Sequence, residues 1–229
     1  MSHAACVLLA GASGLVGQQV LSQLLARSDG PRVLAPVRRE LPARSPRLLS
    51  LVSGLAASED DALIERLRRE VAAIDAYVCC LGTTIKKAGS REAFLAVDRD
   101  LVLRLAAIAR ELGARQAIVV SSVGASAQSG NFYLRVKGET ERALGDMGFE
   151  RVDLLRPGLL LGDRQESRPG EAIARALTPF TNPLMRGPLR RYRGIAASDV
   201  AAAAVALLGR HEPGRFAHEN ADLVALAAT

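Results

Sequence analysis

A doubly wound α/β fold, one parallel sheet covered by helices on both faces, is what this sequence predicts. Three features carry the prediction. Short, continuous apolar runs alternate with helical patterns along most of the chain. A glycine-spaced turn joins the first run to the first helix. The length of 229 residues with 49% hydrophobic content suits one α/β domain with a well-buried core.

The elements follow in order. Apolar runs at residues 6–10, 33–37, 48–52, 76–81, 117–120 and 152–155 read as strands buried on both faces. Leu15, Val20, Leu21, Leu24 and Leu25 form the apolar stripe of a first helix. Leu63, Ile64, Leu67 and Val71 form a second, and Leu101, Leu105, Ile108 and Leu112 a third that stops at Gly113. Helices are expected over 91–112 and 134–147. Right-handed crossovers then set the strand order 3-2-1-4-5-6 in a sheet of six or seven strands. After Arg156-Pro157-Gly158 the rhythm stops. Residues 164–193 are rich in Arg and Pro, with a short helix expected at 171–177, and Ser198 or Asp199 is placed to cap an alanine-rich helix through 208. The whole chain, 1–229, reads as one domain, with 156–197 as a substrate-side cover.

Composition removes several function classes. With no Trp and three Tyr, the chain lacks the aromatic platforms that bind single-stranded nucleic acid. The net charge is +6, and nearly all the positive charge is arginine; only Lys86, Lys87 and Lys137 are lysines. Arg186, Arg190, Arg191 and Arg193 cluster, which reads as a solvated or anion-facing segment before a nucleic-acid patch. No apolar run approaches the ~20 residues of a membrane span, and the N-terminal apolar stretch is cut by Gly11 and has no basic leader. Cys6, Cys79 and Cys80 lie in apolar runs and read as buried thiols of a reducing compartment. A cytoplasmic protein is expected. His3, His211 and His218 are scattered and form neither a triad nor a metal site.

The chemistry begins at the turn. Residues 11–17, GASGLVG, follow the first strand and open the first helix. Gly11 permits the tight turn, Gly14 lets a pyrophosphate approach the backbone, and Gly17 lets the helix pack closely. This is the dinucleotide-binding arrangement of a Rossmann fold, with the spacing GxxGxxG. At the end of the second strand, where an acidic residue would take the adenosine ribose hydroxyls, stand Arg38 and Arg39. A guanidinium fork there selects a 2′-phosphate, and so NADP(H) over NAD(H). Tyr133 and Lys137 are four apart on a predicted helix and share a face. A nearby ammonium favours the phenolate, which lets Tyr133 act as general acid or base. Ser121 and Ser122 end the fifth strand just upstream, where a hydroxyl could hold a carbonyl oxygen.

These motifs, together with the strings CCLGTT at 79–84, VDRD at 97–100 and DRQESRPGE at 163–171, resemble the atypical and extended short-chain dehydrogenases/reductases. The longer strings resemble the Tat-interacting-protein oxidoreductase subgroup in particular. The resemblance implies roles residue by residue. Ser13, Gly14, Leu15 and Val16 would cradle the pyrophosphate and Arg38 the 2′-phosphate. Leu81, Gly82 and Thr83 would border the cofactor, and Pro157, Gly158 and Leu159 would wall the nicotinamide. Lys137 would bind the nicotinamide ribose, Tyr133 would move the substrate proton, and Ser122, or Ser121 beside it, would orient the substrate. One departure stands out: where many relatives carry an Asn for a proton relay, this chain has Asp98.

The sequence therefore leads to an NADP(H)-dependent oxidoreductase acting on a small carbonyl or alcohol. The alternative is a non-enzymatic NADP(H)-binding redox sensor that engages a protein partner. A nucleotide-sugar epimerase or dehydratase is disfavoured because little chain remains for a substrate domain. The two long helices are candidates for pairing in a homodimer.

Overall fold

A computed structural model describes residues 6–162 and 187–229. The expected loop at 163–171, the short helix at 171–177 and Arg186 lie outside the described residues.

Seven parallel strands form the central sheet: β1 (Cys6–Ala10), β2 (Arg32–Val37), β3 (Leu48–Val52), β4 (Ala76–Cys79), β5 (Gln116–Val120), β6 (Arg151–Leu155) and β9 (Gly214–His218). Their order, β3-β2-β1-β4-β5-β6-β9, is the expected 3-2-1-4-5-6 with one more strand beyond β6. A second, two-stranded sheet pairs β7 (Leu160–Leu161) with β8 (Ile195–Ala196).

Alternation along β1 explains both layers. Cys6, Leu8 and Ala10 enter one core and Val7 and Leu9 the other, because side chains alternate across a strand. On the first face lie α2 (Asp60–Glu70), α5 (Val102–Glu111) and α6 (Phe132–Gly145), contributing Leu63, Leu67, Leu105, Ile108 and Leu144. On the second lie α1 (Leu15–Ala26), α7 (Ala197–Leu207) and α8 (Asn220–Ala227). The alanines of α7, among them Ala201 and Ala204, are buried against α1 and let the two helices approach closely.

Three expectations need correction. After the short helix α3 (Ile85–Ala88), the helix expected over 91–112 is three pieces: α4 (Arg91–Leu95), a π-helical turn (Ala96–Leu101) and α5. Neither Ser198 nor Asp199 caps α7. The helix starts one residue earlier, Ala196 is the N-cap, and no side chain caps it. Ser198 and Asp199 instead bond each other in the first turn, where the Asp199 carboxylate complements the helix dipole. The strand expected at 76–81 ends at Cys79, so Leu81 belongs to the following loop.

Strand order reverses between β1 and β4, the point at which doubly wound sheets take ligands beyond the strands' carboxyl ends. The candidates at 11–17, 38–39, 81–83, 121–122 and 157–159 all follow the carboxyl ends of sheet strands, and Tyr133 and Lys137 lie on α6.

Candidate dinucleotide and catalytic site

The glycine turn closes as the spacing requires. Gly11 has φ +80°, and a Cβ there would lie 2.7 Å from the Cys80 carbonyl carbon, so the turn packs directly on the chain leaving β4. Gly14 donates its N–H to Gly11 O at 2.9 Å and forms the extended N-cap of α1 with no side-chain cap. The leading N–H groups of α1, at Leu15, Val16 and Gly17, have no acceptor within the helix and sit at its positive end. That donor set fits a pyrophosphate. Gly17 is tighter still: a Cβ would fall 2.0 Å from Gly11 O. Ser13 is exposed beside the turn, and its carbonyl takes the Gln18 amide at 3.0 Å.

Arg38 and Arg39 follow β2 and are exposed. Beside them the loop after β3 is stiffened in a way the sequence did not reveal. Ser53 N–H bonds Val37 O at 3.0 Å, and Ser53 Oγ accepts the Leu55 N–H at 3.0 Å. Leu55 holds a left-handed backbone, φ 59°, which costs a branched residue about 1 kcal/mol. Arg104 holds it there, donating to Leu55 O while gripping Asp60 at 2.8 and 2.6 Å.

At the end of β4 the chain turns through Leu81, Gly82 and Thr83 against the π-helical turn. Asp98 projects from that turn and is fully buried. Its Oδ2 accepts the Thr83 N–H at 2.8 Å, and its Oδ1 lies 2.8 Å from Lys137 Nζ. Thr140, a turn beyond Lys137, donates to Val136 O at 2.9 Å and lies 3.3 Å from Asp98 O. Tyr133 is half-buried, its ring tilted against Phe94 with centroids 5.7 Å apart. Burial pulls the Lys137 ammonium toward deprotonation, but Asp98 and Tyr133 outweigh it and hold the lysine above its ordinary value.

The two serines differ. Ser121 is buried, and its hydroxyl has no hydrogen-bond partner among the described residues; it faces a small cavity shared with Asp98, Lys137 and Thr140. Ser122 is half-buried and its hydroxyl makes a weak 3.3 Å bond to Val123 O. Beyond β6, Pro157 O accepts the Val123 N–H at 3.0 Å and Leu159 O the Ile195 N–H at 2.9 Å. Leu159 is 44% exposed, and Gly158 packs on the backbone of Tyr192 and Arg193. Cys79 is buried and Cys80 half-buried; burial pushes both thiols up, against a thiolate role. Among the described residues no His, Cys, Asp and Glu cluster could hold a metal ion.

An uncapped helix N-terminus at the order reversal of a parallel sheet defines a dinucleotide-binding Rossmann protein. The chain belongs to the NAD(P)H-binding family, whose model matches residues 11–211. It is an atypical short-chain dehydrogenase/reductase homologous to protein HTATIP2 of Rattus norvegicus, 38% identical over 172 residues that cover 74% of this chain and 68% of the relative. A mitochondrial protein fmp52 of Emericella nidulans is 36% identical over 169 residues, 74% of this chain and 72% of the relative. Among solved structures, the UDP-glucose 4-epimerase of Thermotoga maritima superposes with TM-score 0.68 at 16% identity, covering 93% of this chain and 76% of that one. A short chain dehydrogenase family protein of Francisella tularensis gives TM-score 0.66 at 12% identity, covering 96% and 99%. Among the described residues no helix is long and apolar enough to cross a membrane.

Proposed function

We propose that the protein is an NADP(H)-dependent oxidoreductase that interconverts a small carbonyl and its alcohol. The observation that carries this reading is Lys137, buried on α6 one turn from Tyr133 and anchored through Asp98 to the loop at 81–83. The α1 N-terminus, with Ser13, Gly14, Leu15 and Val16, binds the pyrophosphate, and Arg38 with Arg39 binds the 2′-phosphate. Leu81, Gly82 and Thr83 border the cofactor, and Pro157, Gly158 and Leu159 wall its nicotinamide end. When bound, the nicotinamide supplies or accepts the hydride. Tyr133 gives its phenolic proton to the carbonyl oxygen in reduction and takes it back in oxidation. Ser122, the less buried of the two serines, orients the carbonyl. A cytoplasmic setting agrees with three thiols held unreactive by burial.

NADPH fluorescence on titration with the protein tests the first step, and absence of any change removes the proposal. Turnover of a panel of small aldehydes and ketones tests the second. Tyr133→Phe should lower kcat by about 100-fold or more with NADPH affinity unchanged.

A second reading, a non-enzymatic NADP(H)-dependent sensor that engages a protein partner, draws on one observation. Asp98 balances the Lys137 charge, which weakens the field reaching Tyr133. That reading requires partner capture that depends on NADP(H), in a protein whose Tyr133→Phe variant behaves as wild type.

A further inference from the structure

Lys137 is almost wholly buried. Its side chain is 7% exposed, and the Asp98 side chain facing it is wholly buried. An ammonium group taken out of water without a partner gives up its proton, because burial disfavours the charged form by as much as ~3–5 pH units. The groups around Nζ narrow what can prevent this. From β4 comes Cys79, a thiol that burial keeps protonated. From α6 come Tyr133 and Thr140, and from the residue just past β5 Ser121, all of them hydroxyls. Glu141 borders the same cavity but is held by Arg156 in a two-pronged ion pair. Among the described residues, Asp98 is the one carboxylate paired with Lys137.

Asp98 is also fixed in place. Its second oxygen is held by the Thr83 N–H, and its main chain belongs to the π-helical turn packed on α6. We propose that Asp98 is a positioning residue: it is the built-in counter-ion that keeps buried Lys137 charged and aims its Nζ at the cofactor loop, whether or not cofactor is bound. A neutral asparagine at this position would accept the Thr83 N–H equally well and leave the ammonium uncompensated. The catalytic consequence rests on the function proposed above; the electrostatic content does not.

The chain's three lysines make the test direct. Lys86 and Lys87 are exposed, so in protein labelled with 13Cε-lysine the Lys137 signal stands apart and can be titrated without cofactor or substrate. In the wild type it should keep the chemical shift of a charged lysine through pH 10. In Asp98→Asn its midpoint should fall by about 2 pH units or more, with the other two signals unmoved. Asp98→Glu should restore most of the loss. A Lys137 midpoint in Asp98→Asn within about half a unit of wild type overturns the proposal. If Asp98→Asn does not fold, the wild type decides: a neutral-amine shift for Lys137 at pH 8 overturns it equally. In turnover, Asp98→Asn should lose kcat as pH rises through the lowered Lys137 midpoint, where the wild type does not. A protein that passes the lysine titration but turns nothing over keeps the counter-ion and loses only the oxidoreductase reading.

Discussion

Arg156 grips Glu141 with both arms of its guanidinium, Nε to Oε1 at 2.9 Å and a terminal nitrogen to Oε2 at 2.5 Å. The pair ties the end of β6, just before Pro157 and Gly158, to α6 one turn beyond Lys137. The pair thus links the wall proposed for the nicotinamide to the helix carrying Tyr133. The Glu141 side chain is only 3% exposed, so removing its partner strands a charge away from water. Arg156→Met should therefore cost about 3 kcal/mol of stability, while Arg156→Met with Glu141→Leu should cost clearly less, because no charge is then left behind. Urea denaturation of the two variants decides it. A double variant as unstable as the single one would show that the loss is packing rather than stranded charge.

Gly138 follows Lys137 on α6, and a Cβ there would lie 2.2 Å from both Ala127 N and the Ser126 carbonyl carbon. An alanine normally stabilises a helix interior by about 1 kcal/mol relative to glycine. Here the obstacle is backbone, which cannot rotate away, so the clash wins. Gly138→Ala should lose about 1–3 kcal/mol and, by shifting α6, reduce turnover as well. Gly130→Ala, where a Cβ meets nothing within 4 Å, is the matched control and should be near neutral. A stabilised Gly138→Ala protein would mean that the loop at 126–127 yields freely.

What the sequence made legible was whatever depends on local pattern. Strand order, both core layers, the glycine turn and the shared face of Tyr133 and Lys137 follow from periodicity and spacing. What it hid depends on distant partners. Asp98 looked like a missing asparagine, because nothing local tells a reader that its two oxygens meet Thr83 and Lys137. The π-helical turn that delivers it has no apolar signature separate from the helices on either side. Strand β9 escaped because Gly214, Arg215 and Ala217 are exposed and His218 spends its ring on a buried aspartate, so no apolar run marks it. The Leu55 turn escaped likewise, since Arg104 reaches it from another helix.

In the proposed function, Arg38 is the residue assigned to select NADP(H) over NAD(H). It is exposed at the end of β2, and so contributes little to folding. Arg38→Ala should raise the NADPH dissociation constant by about 10- to 100-fold, the loss of one or two charge-assisted hydrogen bonds. NADH affinity should change by less than about twofold. Fluorescence titration of both cofactors against both proteins gives the comparison. Equal losses for NADPH and NADH would place Arg38 on a shared part of the cofactor and remove the basis for NADP(H) preference.

Asp153 should make the fold sensitive to acid. It is fully buried on β6, where Arg151 donates to both its oxygens at 2.7 and 2.8 Å and Gln116 donates at 3.0 Å; His218 Nε2 lies 2.9 Å away on β9. Burial alone would raise this carboxyl, but the bonds from His218, Arg151 and Gln116 outweigh it and hold it below the usual aspartate value. A carboxyl depressed in the folded state contributes stability that is complete above its unfolded value, near pH 4, and disappears as pH falls through the folded value. Asp153→Asn lacks that contribution at every pH and leaves Arg151 uncompensated, so at pH 7 it should be less stable by about 3 kcal/mol. Below about pH 5 the gap should narrow as the wild-type carboxylate protonates. Urea midpoints for both proteins between pH 7 and pH 2.5 measure it directly. A gap that stays constant to the lowest pH would mean that Asp153 does not supply this acid sensitivity.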